Sequence, residues 1–132
     1  MPADSWRLTP GINHVGAYQV SGRPFAKAAI DCRSATKVEF KGVSRWIYVQ
    51  NQGATELKVG FSENGISGSN YFTVNPQSGT LGPVELKCSE VWVWAPGAAA
   101  AKVNVLAGVT LIAPERCSGS AGPSFSGSTG VG

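Results

Sequence analysis

Charge is scarce in this chain. Of 132 residues only 14% are Asp, Glu, Lys or Arg, against about a quarter in an average soluble domain. Histidine is scarcer still, with His14 alone, so the usual proton shuttles and metal ligands are nearly missing. The three cysteines, Cys32, Cys88 and Cys117, form no C-x-x-C pair and lie far apart. They offer neither a zinc-binding spacing nor, being odd in number, a secreted disulfide framework. Buried free thiols are the expected state of Cys32 and Cys88, each set among apolar neighbours. No apolar run is long enough to cross a membrane as a helix. No N-x-Ser/Thr sequon occurs, and the opening MPADSWRLTPG lacks the basic-then-apolar layout of a signal peptide. These absences describe a chain made and assembled in a reducing cytoplasm.

Glycine, at 17 residues, and apolar side chains, at 42%, are plentiful. That balance excludes general disorder, and the length suits one domain with a core of its own. The net charge of +3 is unevenly spread. Residues 1–45 carry seven basic and three acidic side chains, and the remainder carries four basic and five acidic. Lys and Arg are dispersed, with no run of neighbours, so no nucleic-acid footprint is expected.

From Val15 onwards the apolar pattern has period two, the mark of half-buried strands. Val38 and Phe40 alternate with Lys37, Glu39 and Lys41. In 43–51, Val43, Ile47 and Val49 fall on one side, Trp46 and Tyr48 on the other. Leu57, Val59 and Phe61 alternate with Glu56, Lys58 and Ser62 in the clearest strand of the chain. Asn64-Gly65 predicts a turn, and a short strand over 71–75 is stopped by Pro76. Over 83–96, Val84, Leu86 and Cys88 alternate, then Val91 and Val93 against Trp92 and Trp94, with Ser89-Glu90 a bulge or a change of direction. A long last strand places Val103, Val105, Ala107, Val109 and Leu111 on one face. With strands at 15–20 and 25–31 the total is eight or nine, and no amphipathic helix interrupts them.

The expected fold is all-β, a two-sheet antiparallel β-sandwich of jelly-roll type. Residues 1–13 read as an extended arm, 14–114 as the β domain and 115–132 as a tail. Residues 118–132 hold five Ser and five Gly. Such a segment buries too little to offset its ordering entropy, so alone it is expected to be flexible, and if ordered, to be ordered by a neighbouring subunit.

No catalytic group stands out. His14 has no nucleophile relay beside it, and Glu39, Glu56 and Glu85 alternate with lysines as solvated strand positions do. No P-loop, dinucleotide fingerprint or ligand cluster appears, so the reading is of a non-enzyme without a cofactor or bound metal. Trp46, Tyr48, Trp92 and Trp94 are the informative group. They are core if both strand faces are buried, a stacking platform for a host glycan if exposed, or a subunit interface. Gly16, Gly22 and Pro24 bracket a short strand, and Tyr18, Val20 and Phe25 are its candidate edge or arm contacts.

The stretch Gly11-Ile12-Asn13-His14-Val15-Gly16-Ala17-Tyr18-Gln19-Val20-Ser21-Gly22-Arg23-Pro24-Phe25 resembles the opening of small structural proteins of marine tailed phages and large aquatic DNA viruses. In those a VGxYQVSGxPF-like segment leads into an all-β domain, and a short Thr/Ser-Gly tail ends the chain. Ser126-Gly127-Ser128-Thr129-Gly130 looks similar. The resemblance implies a virion protein built on a single jelly roll: a penton or vertex, minor capsid or surface decoration subunit. It would assemble in the host cytoplasm with copies of itself, a pentameric ring being favoured, and with other capsid proteins. A carbohydrate-binding module for host attachment is the alternative.

Overall fold

The computed structural model describes residues 23–97 and 101–132. Among them run eight strands: β1 (Arg23–Asp31), β2 (Thr36–Glu39), β3 (Ser44–Asn51), β4 (Leu57–Gly60), β5 (Tyr71–Val74), β6 (Thr80–Val84), β7 (Glu90–Trp94) and β8 (Lys102–Val109). One short helix, α1 (Glu63–Ser67), joins β4 to β5, and a 3-10 turn spans Pro114–Cys117. The arm at 1–13, the strand at 15–20, and with them Tyr18 and Val20, lie outside the described residues.

The all-β class is as the sequence reads. Two antiparallel four-stranded sheets have the orders β1-β8-β3-β6 and β2-β7-β4-β5. The pairing is nested: β4 with β5, β3 with β6, β2 with β7 and β1 with β8. The chain is therefore doubled back at β4–β5, and successive rungs of the doubled ribbon fall in alternate sheets. Pairing of β3 with β8 and of β4 with β7 completes each sheet.

Alternation in the sequence becomes alternation in burial. Leu57 and Val59 on β4, Ile47 and Val49 on β3, and Val91 and Val93 on β7 are all fully buried. They join Val103, Val105 and Ala107 of β8 in one cluster fed by both sheets. β-Branched side chains suit this pleated, two-sided packing, and each fully buried Val, Ile or Leu contributes about 1.5–3 kcal/mol. Buried Asn51 ties the loops to this core. Its Nδ2 donates to the carbonyls of Thr55 (2.8 Å) and Val74 (3.2 Å), while its Oδ1 accepts from the Gly53 N–H at 2.9 Å. Every polar atom of the amide is thus used inside the fold.

Several expectations are corrected. In 83–96 the second of the two readings holds: β6 ends at Val84 and β7 starts at Glu90 in the other sheet. Ser89-Glu90 is thus a change of direction. Ser44 holds the crossing, its Oγ donating to the Leu86 carbonyl (2.6 Å) and accepting from the Cys88 N–H (3.1 Å). Val43 does not share a side with Ile47, because a register shift between Ser44 and Trp46 intervenes. It packs instead with Ile112 and Cys117 in a second, smaller cluster. Leu111, beyond the end of β8, is 73% exposed rather than part of the core row. Asn64-Gly65 is the body of α1, not an open turn, because Ser62 caps it by accepting from the Gly65 N–H at 2.9 Å.

The tail is the largest correction. Residues 115–132 pack on their own domain. Phe125 lies against the Val43, Ile112 and Cys117 cluster. The buried Ser124 Oγ accepts from the Ser89 N–H at 3.2 Å. The Ser62 Oγ donates to the carbonyls of Val131 (2.9 Å) and Gly132 (3.0 Å). Close approach to Gly65 makes this possible, since a Cβ there would run into the Val131 carbonyl. The entropy argument for the tail counted only local burial, and these attachments come from elements far away in sequence.

Candidate interaction surfaces

Strand parity puts each Trp and Tyr of the candidate group on the outward side of its strand, half-buried. They do not form one surface. Trp46 and Tyr48 belong to β3, whereas Trp92 and Trp94 belong to β7 in the other sheet. A single coplanar platform combining Trp46 with Trp92 or Trp94 is therefore ruled out by topology.

On the first sheet, Trp46 stands opposite Gly108 and Tyr48 opposite Leu106, both on β8. With no side chain at Gly108, the indole lies down on the strand. Leu106, 38% exposed, stays beside it. Trp46, Tyr48, Leu106 and Pro83 line an open trough of about 690 Å³, with Arg45 and Glu85 at its rim. The Arg45 Nη2 and Glu85 Oε1 are 3.9 Å apart, a loose pair with Glu85 well exposed. The trough thus offers aromatic and aliphatic floor with polar groups at one edge.

On the second sheet, the Lys58 ammonium sits between two rings, 4.4 Å from the Tyr71 centroid and 5.0 Å from that of Trp94. Lys58 faces Trp94 across β4–β7, and Tyr71 follows on β5. Trp92 has a different partner: its Nε1 donates to Glu90 Oε2 at 2.7 Å. Phe25, a candidate edge contact, sits on the edge strand β1, but its ring packs inward. It meets Phe40 edge-on, centroids 5.1 Å apart at 69°, against the main core.

The four sheet edges differ. β1 is bulged between Lys27 and Ile30, with Ala29 at φ 54° and its N–H taken by Asn104 Oδ1. β6 carries Gly82-Pro83 and a register shift. β2 has four residues, two of them the ion-paired Lys37 and Glu39 (2.6 Å). Each of these is a device that discourages strand addition. β5, Tyr71-Phe72-Thr73-Val74, has none: no charge, no Pro, no bulge, and Phe72 is 58% exposed.

Asp31 and the three cysteines are tied into the fold. Asp31 accepts from the Arg33 side chain (2.8 Å at Nη2) and N–H, which holds its carboxyl down at about 2. Cys32, Cys88 and Cys117 are buried free thiols. Burial pushes all three up, Cys88 to about 12, although its contact with Ser44 Oγ (3.4 Å) opposes the shift. Among the described residues no three His, Cys, Asp or Glu side chains gather to hold a metal ion.

Sequence reasoning missed the Trp46–Gly108 contact, the caged Lys58 and the bare β5 edge. Each depends on which strands become neighbours, and period-two alternation carries no record of that. No family model, curated protein or solved structure matches this chain.

Proposed function

We propose that this chain is a structural subunit of a virus particle, a single jelly roll that acts through contacts rather than catalysis. The strand order supports the jelly-roll part of this reading. Two four-stranded antiparallel sheets with first strand beside last, second beside seventh and third beside sixth are what two interlocked Greek keys produce when a doubled ribbon is wound. Jelly rolls recur in capsid proteins, but also in lectins and other families, so the winding alone does not choose among them. The choice rests on the resemblance of residues 11–25 to aquatic-virus structural proteins.

The subunit works with copies of itself, in a ring with five members favoured, and with other capsid proteins, after assembly in the host cytoplasm. A ring contact is heterologous, one side of a subunit against the other side of the next. Two unlike outward faces suit that arrangement, the Trp46 trough on one sheet and the Trp92–Trp94 row on the other. Light scattering of the purified chain across a wide concentration range, together with a mass inventory of particles, tests the reading. A closed oligomer and presence in particles support it. A monomer at every concentration, absent from particles, overturns it.

The trough favours one second reading, a host-glycan site. Trp46 and Tyr48 supply stacking surface, and Arg45 and Glu85 supply hydrogen-bonding groups at the rim. Glycan-array binding abolished in Trp46→Ala supports that reading, and an array without signal removes it.

A further inference from the structure

The outward side of β7 holds a second cavity, smaller and more polar than the trough. It has a volume of about 290 Å³ and lies between β2, β7, α1 and the tail. Trp92 and Glu90 form its inner wall, and Lys37, Glu63, Asn64 and Ser126 are at its rim. Glu90 is 6% exposed, which is unusual for a carboxylate. One of its oxygens, Oε2, accepts from the Trp92 indole N–H. The other, Oε1, has no hydrogen-bond donor among the described residues. A buried carboxylate oxygen without a donor is costly and calls for a partner beyond the described residues.

The surroundings define the partner's chemistry. Glu39, Glu63 and Glu90 stand around Lys37, whose ammonium is engaged by Glu39 at 2.6 Å. Negative charge is therefore in excess, so the missing donor is cationic. The Trp92 ring beside the carboxylate offers a face on which a cation is stabilised by the ring quadrupole. The same strand already contains an example two residues on, where Trp94 and Tyr71 hold the Lys58 ammonium. Trp92 also has a lysine of its own chain opposite it, Lys37 on β2, but that ammonium is held by Glu39 and gives Glu90 Oε1 no hydrogen bond.

We propose that this cavity is a binding site for a primary alkylammonium group, supplied by a lysine side chain of a neighbouring copy of this chain or by a free amine. The ammonium donates to Glu90 Oε1 while its alkyl stem lies on Trp92. Asn64, whose side chain makes no hydrogen bond among the described residues, supplies a further acceptor at the rim. This inference is independent of the virion reading, because it uses neither the strand order nor the trough.

The probe is n-butylammonium chloride, titrated into the full ¹⁵N-labelled chain at constant ionic strength. The expected result is saturable movement of the Trp92 indole N–H resonance with Trp46 unmoved. Affinity should be on the order of millimolar, as befits so small a ligand. n-Butanol, with the same stem and no charge, leaves the resonance in place. Glu90→Gln keeps an acceptor for Trp92 but removes the charge, and weakens binding about tenfold or more. Glu63→Gln, at the exposed rim, leaves the buried groups intact and weakens it by a smaller factor, so the test survives if the buried variant misfolds. Equal response to n-butanol, binding unchanged in both variants, or no response to butylammonium overturns the proposal. Sedimentation with saturating butylammonium separates the two sources. Dispersal of an oligomer assigns the group to a neighbouring copy's lysine; binding with unchanged association assigns it to a free amine.

Discussion

The Trp46 indole lies across the backbone of Gly108, its directly opposed neighbour on β8. A Cβ at position 108 would stand inside contact distance of the ring's Cε2 and Nε1. Gly108→Ala therefore lifts the indole off the sheet. The expected cost is about 1–2 kcal/mol, read as a lower denaturant midpoint, with Trp emission shifted to the red. Combined with Trp46→Ala, the same glycine change should cost less than the two separate effects together, because the clash has gone.

The thiols set an alkaline limit. In the unfolded chain Cys88 loses its proton near its ordinary value of 9.0, whereas the folded chain retains it up to about 12. Between those values the folded state binds more protons, so stability falls as pH rises. Below 9.0 this contribution is fully present. Cys32 and Cys117 are raised as well and act with the same sign. Denaturant midpoints measured across the window should decline, and Cys88→Ala should flatten the slope. In the folded protein all three thiols should resist a thiol-specific reagent until denaturant is added.

Among the described residues, three of the four sheet edges carry charge, bulge or proline and β5 carries none, so any strand addition between copies is expected at Tyr71–Val74. Phe72→Lys puts a charge on that edge at a residue 58% exposed, although Phe72 pairs with Val59 on the side of β5 that carries Val74. Sedimentation velocity, run well below a melting temperature that the adjoining Val59 and Val74 should lower, is expected to show weaker self-association for the variant. Association as strong as in the parent chain would exclude the β5 edge as a contact.

Tail attachment is likewise measurable. Phe125→Ala removes the ring that covers Val43, Ile112 and Cys117, at an expected cost of about 2 kcal/mol for a side chain only half-buried. Cys117 should then become reactive while Cys88 stays protected, which separates local opening from global unfolding. A tail that does not hold the domain would leave both melting temperature and Cys117 reactivity unchanged.

Leu57, Lys58 and Val59 show what could be read in advance. Strict alternation on a four-residue strand names its buried side, and Val91–Trp92–Val93–Trp94 does the same. Alternation reports parity, not partnership. The four aromatic residues read as one group because all oppose the aliphatic row, yet β3 and β7 belong to different sheets. Ser44 illustrates the other gap. Its hydroxyl stitches the β6–β7 crossing from a position that looks, in the sequence, like one more polar strand residue. Glu90 looked like part of a turn, and its burial becomes intelligible only once the tail has folded across β7.

The strand order also governs the timing of synthesis. β8 follows the other strands in the chain, yet it lies inside its sheet, between β1 and β3. When β3 has left the exit tunnel to join β1, the strand between them is still to be made. Their apolar sides stay uncovered until Lys102–Val109 emerges, and pairing over such separations is intrinsically slow. A nascent chain halted before Lys102 is thus the species most in need of a chaperone.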